Sequence, residues 1–561
     1  MVHSYGRNIE RDGIEPEVQR RILDRLNKAR RPEDIPELDD PKVPKEIRPR
    51  IIGKLRELGA FGFADLRQVA EIRGFNKEIL DHLVFCFGQS HYGQWSMPYD
   101  TQMPDGTPYH VAHAAVLRTG RVLFLPESTT KTTMLWDPSD EVNPQFEFMI
   151  NQPDEYLFCS GHAFLSDGRL LVAGGGGGGP SNVNRAWKFD PVPKTWEKTA
   201  GDMSHPRWYP TVVTLGDEHH VLVVGGAPGI GVSTIESYSE ALDSFSLLTG
   251  ADATRSFPQL YPGLHLLPSG EVFYSRTGFG SAGQGPGGGD PAPGTPYLKY
   301  TPPTTGEWVE IDNLMEYPDR VRGMSVILLD PCDPAIRVII IGGTGLPGSE
   351  TAEIINLSKI SPTWEHPTII PGGESRTNVN AVLLPDGTVF VCGGTSSTTP
   401  PCALYNPSTN VWSEMASVNY RKQYHSVAVL LPSGKVMATG GSNYGGGSSV
   451  IEIFSPPYLF KGPRPEITTV PGLVHHAQKF TLETPQAADI EKVVLVRPMA
   501  VTHQTDSEQR VVQLTFLRNG NSLDVSAPNG HHPHAVPRGY YMLFILNTDG
   551  VPSEGKFIHL H

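Results

Sequence analysis

Between residues 113 and 441 one short pattern comes round seven times, and nothing else in the chain restricts its fold as much. The copies are "HAAVLRTGRVLFLP", "GHAFLSDGRLLVAGGG", "YPTVVTLGDEHHVLVVGG", "YPGLHLLPSGEVFYSRTG", "RGMSVILLDPCDPAIRVIIIGG", "NAVLLPDGTVFVCGG" and "YHSVAVLLPSGKVMATGG". Each reads as two apolar strands around a tight turn, closed in most copies by Gly-Gly. Most continue into a third strand such as "WKFDP" or "ALYNP". The spacing, roughly 45 to 60 residues, is that of kelch-type propeller blades. One four-stranded blade cannot bury its own faces, whereas a closed set of seven can. The expected fold class is therefore all-β, with a seven-bladed kelch-type β-propeller over residues 91–455.

The period changes on both sides of the repeats. Residues 14–86 space apolar residues three and four apart in "PEVQRRILDRLNKA", "PKEIRPRIIGKLRELGA" and "FADLRQVAEIRGFNKEILDHLVFCFG". That predicts helices, so residues 1–90 are read as a small helical extension with a solvated basic face. After residue 456, "KFTLETP", "KVVLVRP", "RVVQLTFLRNG", "SLDVSAP" and "YYMLFILN" are short strands at sandwich-like spacing. They predict a separate immunoglobulin-like β domain over 456–561. The Gly run at 174–179 has no Lys-Ser/Thr and no helix after it, so it is a blade loop and not a phosphate cradle. Residues 278–296 read as a long insertion in the fourth repeat.

Composition removes several kinds of partner. A net charge of −14 speaks against nucleic acid, whose phosphates require basic patches. No apolar run is long enough to span a membrane. The N-terminal residues lack the apolar core of a secretory signal; either the protein works inside the cell or its export signal lies outside this sequence. The five cysteines, Cys86, Cys159, Cys332, Cys392 and Cys402, are too few for a disulfide scaffold, and their spacing fits no zinc motif. Cys392 and Cys402 are a bridge in an oxidising compartment or two buried thiols; both readings stand.

The first strand of a propeller blade lines the central channel, so aligning the copies on their turns shows which side chains meet there. Eight residues before the turn stand Cys159, Tyr209, Tyr261, Asn378 and His425. The fifth copy has an irregular turn and gives no count. A wet channel mouth explains Asn378 well enough. A thiol, two phenols and an imidazole, with Tyr424 beside His425, make a donor set suited to a redox metal, copper(II) in particular. Before the strand begins the chain need not alternate, so Tyr424 and His425 can both turn to one ion. The tail adds a candidate ligand, His503 of "VTHQTDSEQR", in a loop between two predicted strands.

Cys159, "RWY" ending at Tyr209, "YHS" at Tyr424-His425, "VTH" at His503, "IEIFSPPYLF" and "GYYMLFILNTDGVPS" together resemble the copper radical oxidases, galactose oxidase and glyoxal oxidase, from about residue 90 to the end. The resemblance implies one copper ion held by Tyr209, Tyr424, His425 and His503, with Tyr424 axial. It implies a thioether between Cys159 and Tyr209 that makes the tyrosine easier to oxidise. The implied catalytic residues are Tyr209, Cys159 and Tyr424, with Tyr261 at the substrate. The implied reaction oxidises a primary alcohol or aldehyde with dioxygen and forms hydrogen peroxide. Its expected partners are that small molecule and dioxygen, the protein itself being a monomer; the family is typically secreted. Pro262 stands where galactose oxidase has a substrate-binding Arg, which points to simple alcohols or the glyoxal oxidase branch. The loop "GGAPGIGVSTIESY" lacks the Trp that galactose oxidase stacks on its tyrosine, and the adjacency of Trp208 to Tyr209 does not by itself replace it. Competing readings are a non-catalytic kelch binding module, which predicts no copper and an unmodified Cys159, and a copper site without a radical. The "GHHPH" stretch at 530–534 reads as a solvated loop.

Overall fold

The computed structural model describes residues 14–561 apart from 15, 40–42, 128–129, 142–143, 177–182, 218, 227–233, 252–259, 276–294, 302–303, 312–319, 330–334, 345–351, 366–368, 372–375, 396–401, 442–448 and 530–533. Cys332, most of the 278–296 insertion, part of the 174–179 Gly run and His532 therefore lie outside the described residues.

The protein is all-β apart from its helical head. Four helices come first: α1 (Pro16–Lys28), α2 (Ile47–Leu58), α3 (Leu66–Ala70) and α4 (Lys77–Tyr92). In α1, Val18, Ile22 and Leu26 recur every four residues and are fully buried, while Arg20, Asp24 and Lys28 face solvent. Helix α4 starts where the Asn76 side chain accepts the Ile79 N–H at 3.1 Å. The head shares one apolar core with the sheets behind it, and Trp95 is anchored by its Nε1–H to Ala416 O at 2.8 Å.

Seven antiparallel sheets follow. Their lead strands are Val111–Val116 (β1), Gly161–Phe164 (β2), Thr211–Thr214 (β3), Leu264–Leu266 (β4), Met324–Leu329 (β5), Asn380–Leu383 (β6) and Val427–Leu430 (β7). Behind each, the next strands pair in chain order. The seventh sheet is completed from the other end of the chain, because Gln94–Trp95 and Tyr99–Asp100 pair with Val450–Ser455. Nearly every lead-strand residue is buried on both faces, which is why these segments read as near-continuous apolar runs rather than alternating ones. Side chains link neighbouring sheets: His113 to His162 (3.2 Å), Thr211 to Pro262 O (2.7 Å), His265 to Ser325 (2.7 Å) and Asn380 to Ser426 (2.8 Å). β6 packs on β5, and β7 packs on β1.

The loops entering the lead strands are held by a device that recurs along the chain. Arg207 pairs with Glu236 at 2.9 Å, Arg320 with Glu353 at 3.1 Å and Lys422 with Glu452 at 3.2 Å, all of them buried. The first glycine of a Gly-Gly pair makes room for the backbone of Arg207 and of Lys422. A Cβ on Gly174 would lie 2.4 Å from Arg207 O, and one on Gly393 2.5 Å from Lys422 O. Removing one partner from such a pair costs about 3–5 kcal/mol.

The tail builds a five-stranded and a three-stranded sheet around a common core that includes Phe480, Leu482, Val493, Leu523, Tyr541 and Ile558. From it, Ala500–Thr502 (β8) pairs with β1, and residues 502–510 run on between the lead strands. Thr502 donates to Ala112 O, Gln504 to Ser426 O, Ser507 to Val212 O, and Arg510 to Leu266 O. Gln509 accepts the Leu383 N–H, and Glu508 accepts the Thr214 hydroxyl. A segment this polar can be buried only because the strands around it satisfy it.

Candidate metal centre

Immediately ahead of six lead strands the chain enters the left-handed region: Cys159 (φ +60°), Tyr209 (+64°), Tyr261 (+46°), Arg322 (+61°), Asn378 (+61°) and His425 (+65°). A non-glycine residue there costs on the order of 1–3 kcal/mol and persists only where its surroundings impose it. Backbone bonds between neighbouring sheets do so: Tyr209 N–H to Cys159 O at 2.9 Å, Tyr261 N–H to Tyr209 O at 2.7 Å and Asn378 N–H to Arg322 O at 2.8 Å. The kink turns each chain before its pleat begins, so side chains from separate sheets meet at one level. Tyr424 and His425 follow from this; their rings lie 3.7 Å apart at 33°, not on opposite faces.

Arg322 belongs to the set that the turn alignment defines, yet the irregular fifth turn hid it. The Gly-Gly pair does not recover it either, because 20 residues separate Arg322 from Gly342 against 15 from Cys159 to Gly174 and from His425 to Gly440. Its guanidinium acts on the Tyr424 phenol.

The expected donors converge. Tyr209 Oη and Tyr424 Oη are 2.5 Å apart. The His503 ring centroid is 4.9 Å from Tyr209, 5.6 Å from Tyr424 and 4.5 Å from His425. His503 comes from the tail, at the tip of the inserted segment, with φ +47°. Cys159 is fully buried in one apolar cluster with Tyr209 and Tyr261, its Sγ 3.8 Å from His503 Nε2. Among the described residues no group of three or more His, Cys, Asp or Glu side chains is arranged to hold a metal. Phenols supply half of this donor set.

Hydrogen bonds settle which imidazole nitrogens are available. The Thr502 hydroxyl gives its one proton to Ala112 O, so at 2.6 Å it accepts from His503 Nδ1–H and leaves Nε2 with a lone pair. Glu127 accepts from His425 Nδ1–H at 2.9 Å, leaving Nε2 of that ring a ligand too. Glu127 was missed in the sequence because it is remote in the chain and no spacing ties it to His425. Burial, then the neighbouring His425, His113 and His162, drive His503 well below the ordinary imidazole range, so it is neutral. Burial likewise holds the Tyr209 phenol protonated. It pushes Tyr424 up to about 12, against the lowering effects of the Tyr209 hydrogen bond and Arg322. Two oxygen and two nitrogen donors thus face one another. That set fits a divalent transition metal with a preference for N and O ligands.

The remaining expected residues take definite places. Tyr261 is buried with its hydroxyl donated to Ser160 O at 2.8 Å, its ring 4.7 Å from Tyr209. It packs behind Tyr209 and offers no free hydroxyl to a substrate. Trp208 stands with its ring centroid 4.1 Å from Tyr209 at 38°, a contact that sequence adjacency alone did not decide. Cys392 and Cys402 fall opposite each other on paired strands, and both are free thiols.

The known proteins that this chain is similar to are oxidases. Residues 141–277 match the family described as glyoxal oxidase N-terminus, and residues 464–560 the galactose oxidase-like, early set domain. An aldehyde oxidase GLOX of Vitis pseudoreticulata is 27% identical over 519 residues, covering 80% of this chain and 94% of the relative. A galactose oxidase of Gibberella zeae is 26% identical over 457 residues, covering 76% of this chain and 64% of the relative, so this chain spans just under two thirds of that enzyme. Among solved structures, a fungal alcohol oxidase of the AA5 family in complex with copper superposes with a TM-score of 0.69 at 23% identity. It covers 84% of this chain and all of its own, and at that identity the likeness is one of fold.

Proposed function

We propose that this chain, a relative of the glyoxal and galactose oxidases, is a copper radical oxidase. It oxidises a primary alcohol or aldehyde and passes the electrons to dioxygen, forming hydrogen peroxide. The observation that carries the reading is the convergence of Tyr209, Tyr424, His425 and His503, from three separate stretches of chain, with Cys159 packed against Tyr209. These four are the proposed ligands, and Cys159 and Tyr209 form the thioether. The domains are proposed at 1–90, 91–455 and 456–561, the seven sheets closing as propeller blades and the tail forming an immunoglobulin-like sandwich. The links from each sheet to the next, and the strands before β1 that complete the seventh sheet, support that closure.

When bound, copper supplies a Lewis acid for the substrate hydroxyl and a one-electron redox partner. Tyr424, whose oxygen lies 2.5 Å from that of Tyr209, would be ionised as a copper ligand and would then take the hydroxyl proton as general base. Sulfur conjugated to the Tyr209 ring lowers the potential at which that ring gives up an electron. The oxidised Tyr209 then removes hydrogen from the substrate carbon. Trp208 and Tyr261 cover the ring and keep water from it. Glu127 and Thr502 hold the imidazoles in the tautomers that ligation requires.

The test is the intact mass of protein prepared without copper, before and after copper and air. One hydrogen should be lost from each of Cys159 and Tyr209, and peroxide should then form with simple primary alcohols or aldehydes. An unchanged mass with no peroxide from any of them would leave the binding-module reading in its place.

A further inference from the structure

We infer that His113, backed by His162, is the residue that positions Cys159 for its bond to Tyr209. The inference rests on the proposed Cys159–Tyr209 thioether and concerns how the chain makes it.

His113 lies on β1, opposite Thr502 of β8, and is fully buried. Its Nε2 lies 3.2 Å from the Cys159 N–H, and its Nδ1 3.2 Å from His162 Nε2. Burial keeps both imidazoles neutral, His113 well below its ordinary range and His162 lowered to about 4. A neutral imidazole has one donor and one acceptor nitrogen, and a backbone N–H can only donate. His113 Nε2 is therefore the acceptor, and His113 Nδ1–H donates to His162 Nε2. His162 then carries its own proton on Nδ1. That atom is buried without a hydrogen bond of normal geometry and lies close to the carbonyls of His162 and Ala500. Beside it is a cavity of about 10 Å³ bordered by Thr211, Thr505 and Ser507, close to the size that holds one water. Every proton in the relay points away from Cys159, so the acceptor facing its N–H cannot turn into a donor without breaking the bond to Cys159 and changing the tautomer of both imidazoles.

Cys159 is thus clamped at two points. Its N–H is held by His113, and its carbonyl by the Tyr209 N–H at 2.9 Å. Between those points the residue sits at φ +60°, a conformation that an L residue keeps only under constraint. The clamp decides where the sulfur stands relative to the ring it must join. In that reaction the Cys159 S–H and a ring C–H beside the Tyr209 hydroxyl break and an S–C bond forms. The two electrons and two protons released reduce one dioxygen to hydrogen peroxide. Misplacing reacting atoms by about 1 Å costs on the order of a hundredfold in rate. His113 touches neither sulfur nor ring, and its part is to position them.

The experiment follows intact mass against time after copper and air are added to copper-free protein, with copper affinity measured by chelator competition and folding by melting. His113→Leu should bind copper as the wild type does and cross-link at least about tenfold more slowly. His113→Gln, which keeps an acceptor near the Nε2 position, should recover most of the rate; a merely structural role would not separate these two. His162→Phe, which removes the acceptor behind His113, should also be slow, and it carries the test should His113→Leu fail to fold. Cross-linking at the wild-type rate in His113→Leu or His162→Phe overturns the inference. So does loss of copper from His113→Leu, or His113→Gln as slow as the Leu variant. A wild type that keeps both hydrogens in copper and air overturns the thioether itself, a failure visible before any variant is made.

Discussion

Asp506 offers a measure of how dry the inserted segment is. It is 5% exposed, between the lead strands and three residues beyond His503. Its Oδ1 accepts the Glu508 N–H at 2.7 Å and the Gln509 N–H at 3.3 Å, while Oδ2 is buried without a hydrogen bond of normal geometry and the Ala500 N–H lies close to the carboxylate. Burial raises its pKa from 3.8 to about 7, against the lowering effect of those backbone bonds. A carboxyl raised in the folded state contributes stability that is whole below the unfolded value. That stability is lost as pH climbs toward the folded value. With 3.8 unfolded and about 7 folded, ionisation costs the native state about 1 kcal/mol near pH 4.5 and about 4 kcal/mol near pH 8. Asp506→Asn keeps an oxygen for the two N–H groups and cannot ionise. Relative to the wild type it should therefore gain about 3 kcal/mol between those pH values, whatever the fixed cost of its amide group. Urea unfolding of both metal-free proteins at both pH values reads this directly, because every other titrating group cancels in the difference. A relative change under about 1 kcal/mol would mean that Asp506 ionises normally and that water reaches the inserted segment.

Glu127→Gln should weaken copper binding about 10- to 100-fold in chelator competition with little change in the copper-free melting temperature, since its carboxylate orients His425. Copper should raise the melting temperature of the wild type by binding only the native arrangement, and His503→Ala should lose most of that rise while its copper-free form melts nearly as before. A full copper-induced shift in His503→Ala would mean that the tail supplies no ligand. Tyr209→Phe should fold and yet abolish peroxide formation, and Cys159→Ser should retain copper but lose the mass change and most of the activity. Loss of copper from Cys159→Ser would make the sulfur a ligand.

What the sequence determined by itself was whatever repeats or follows a local period. The seven hairpins were legible because each carries its own turn and apolar strands, and α1 because Val18, Ile22 and Leu26 recur at helical spacing. Counting back from the turns picked out Cys159, Tyr209, Tyr261, Asn378 and His425, since equivalent places in equivalent units lie at one level. Where the turn is irregular the count stopped, and Arg322 went unseen. Only the tertiary structure decided the rest. Backbone bonds between sheets hold five of the six left-handed kinks, all but the one at His425, and no residue among the six is a glycine that would have announced them. Whether Tyr261 offers its hydroxyl to a substrate or to Ser160, and whether Trp208 covers Tyr209, depends on neighbours some fifty to a hundred residues away or on a side-chain rotation. Glu127 reaches His425, and His113 reaches Cys159, across gaps that no sequence period spans. A period records what a segment does against its own neighbours along the chain. The partners that select a tautomer or clamp a backbone are neighbours only in space, and they meet only when the sheets and the tail's inserted segment come together.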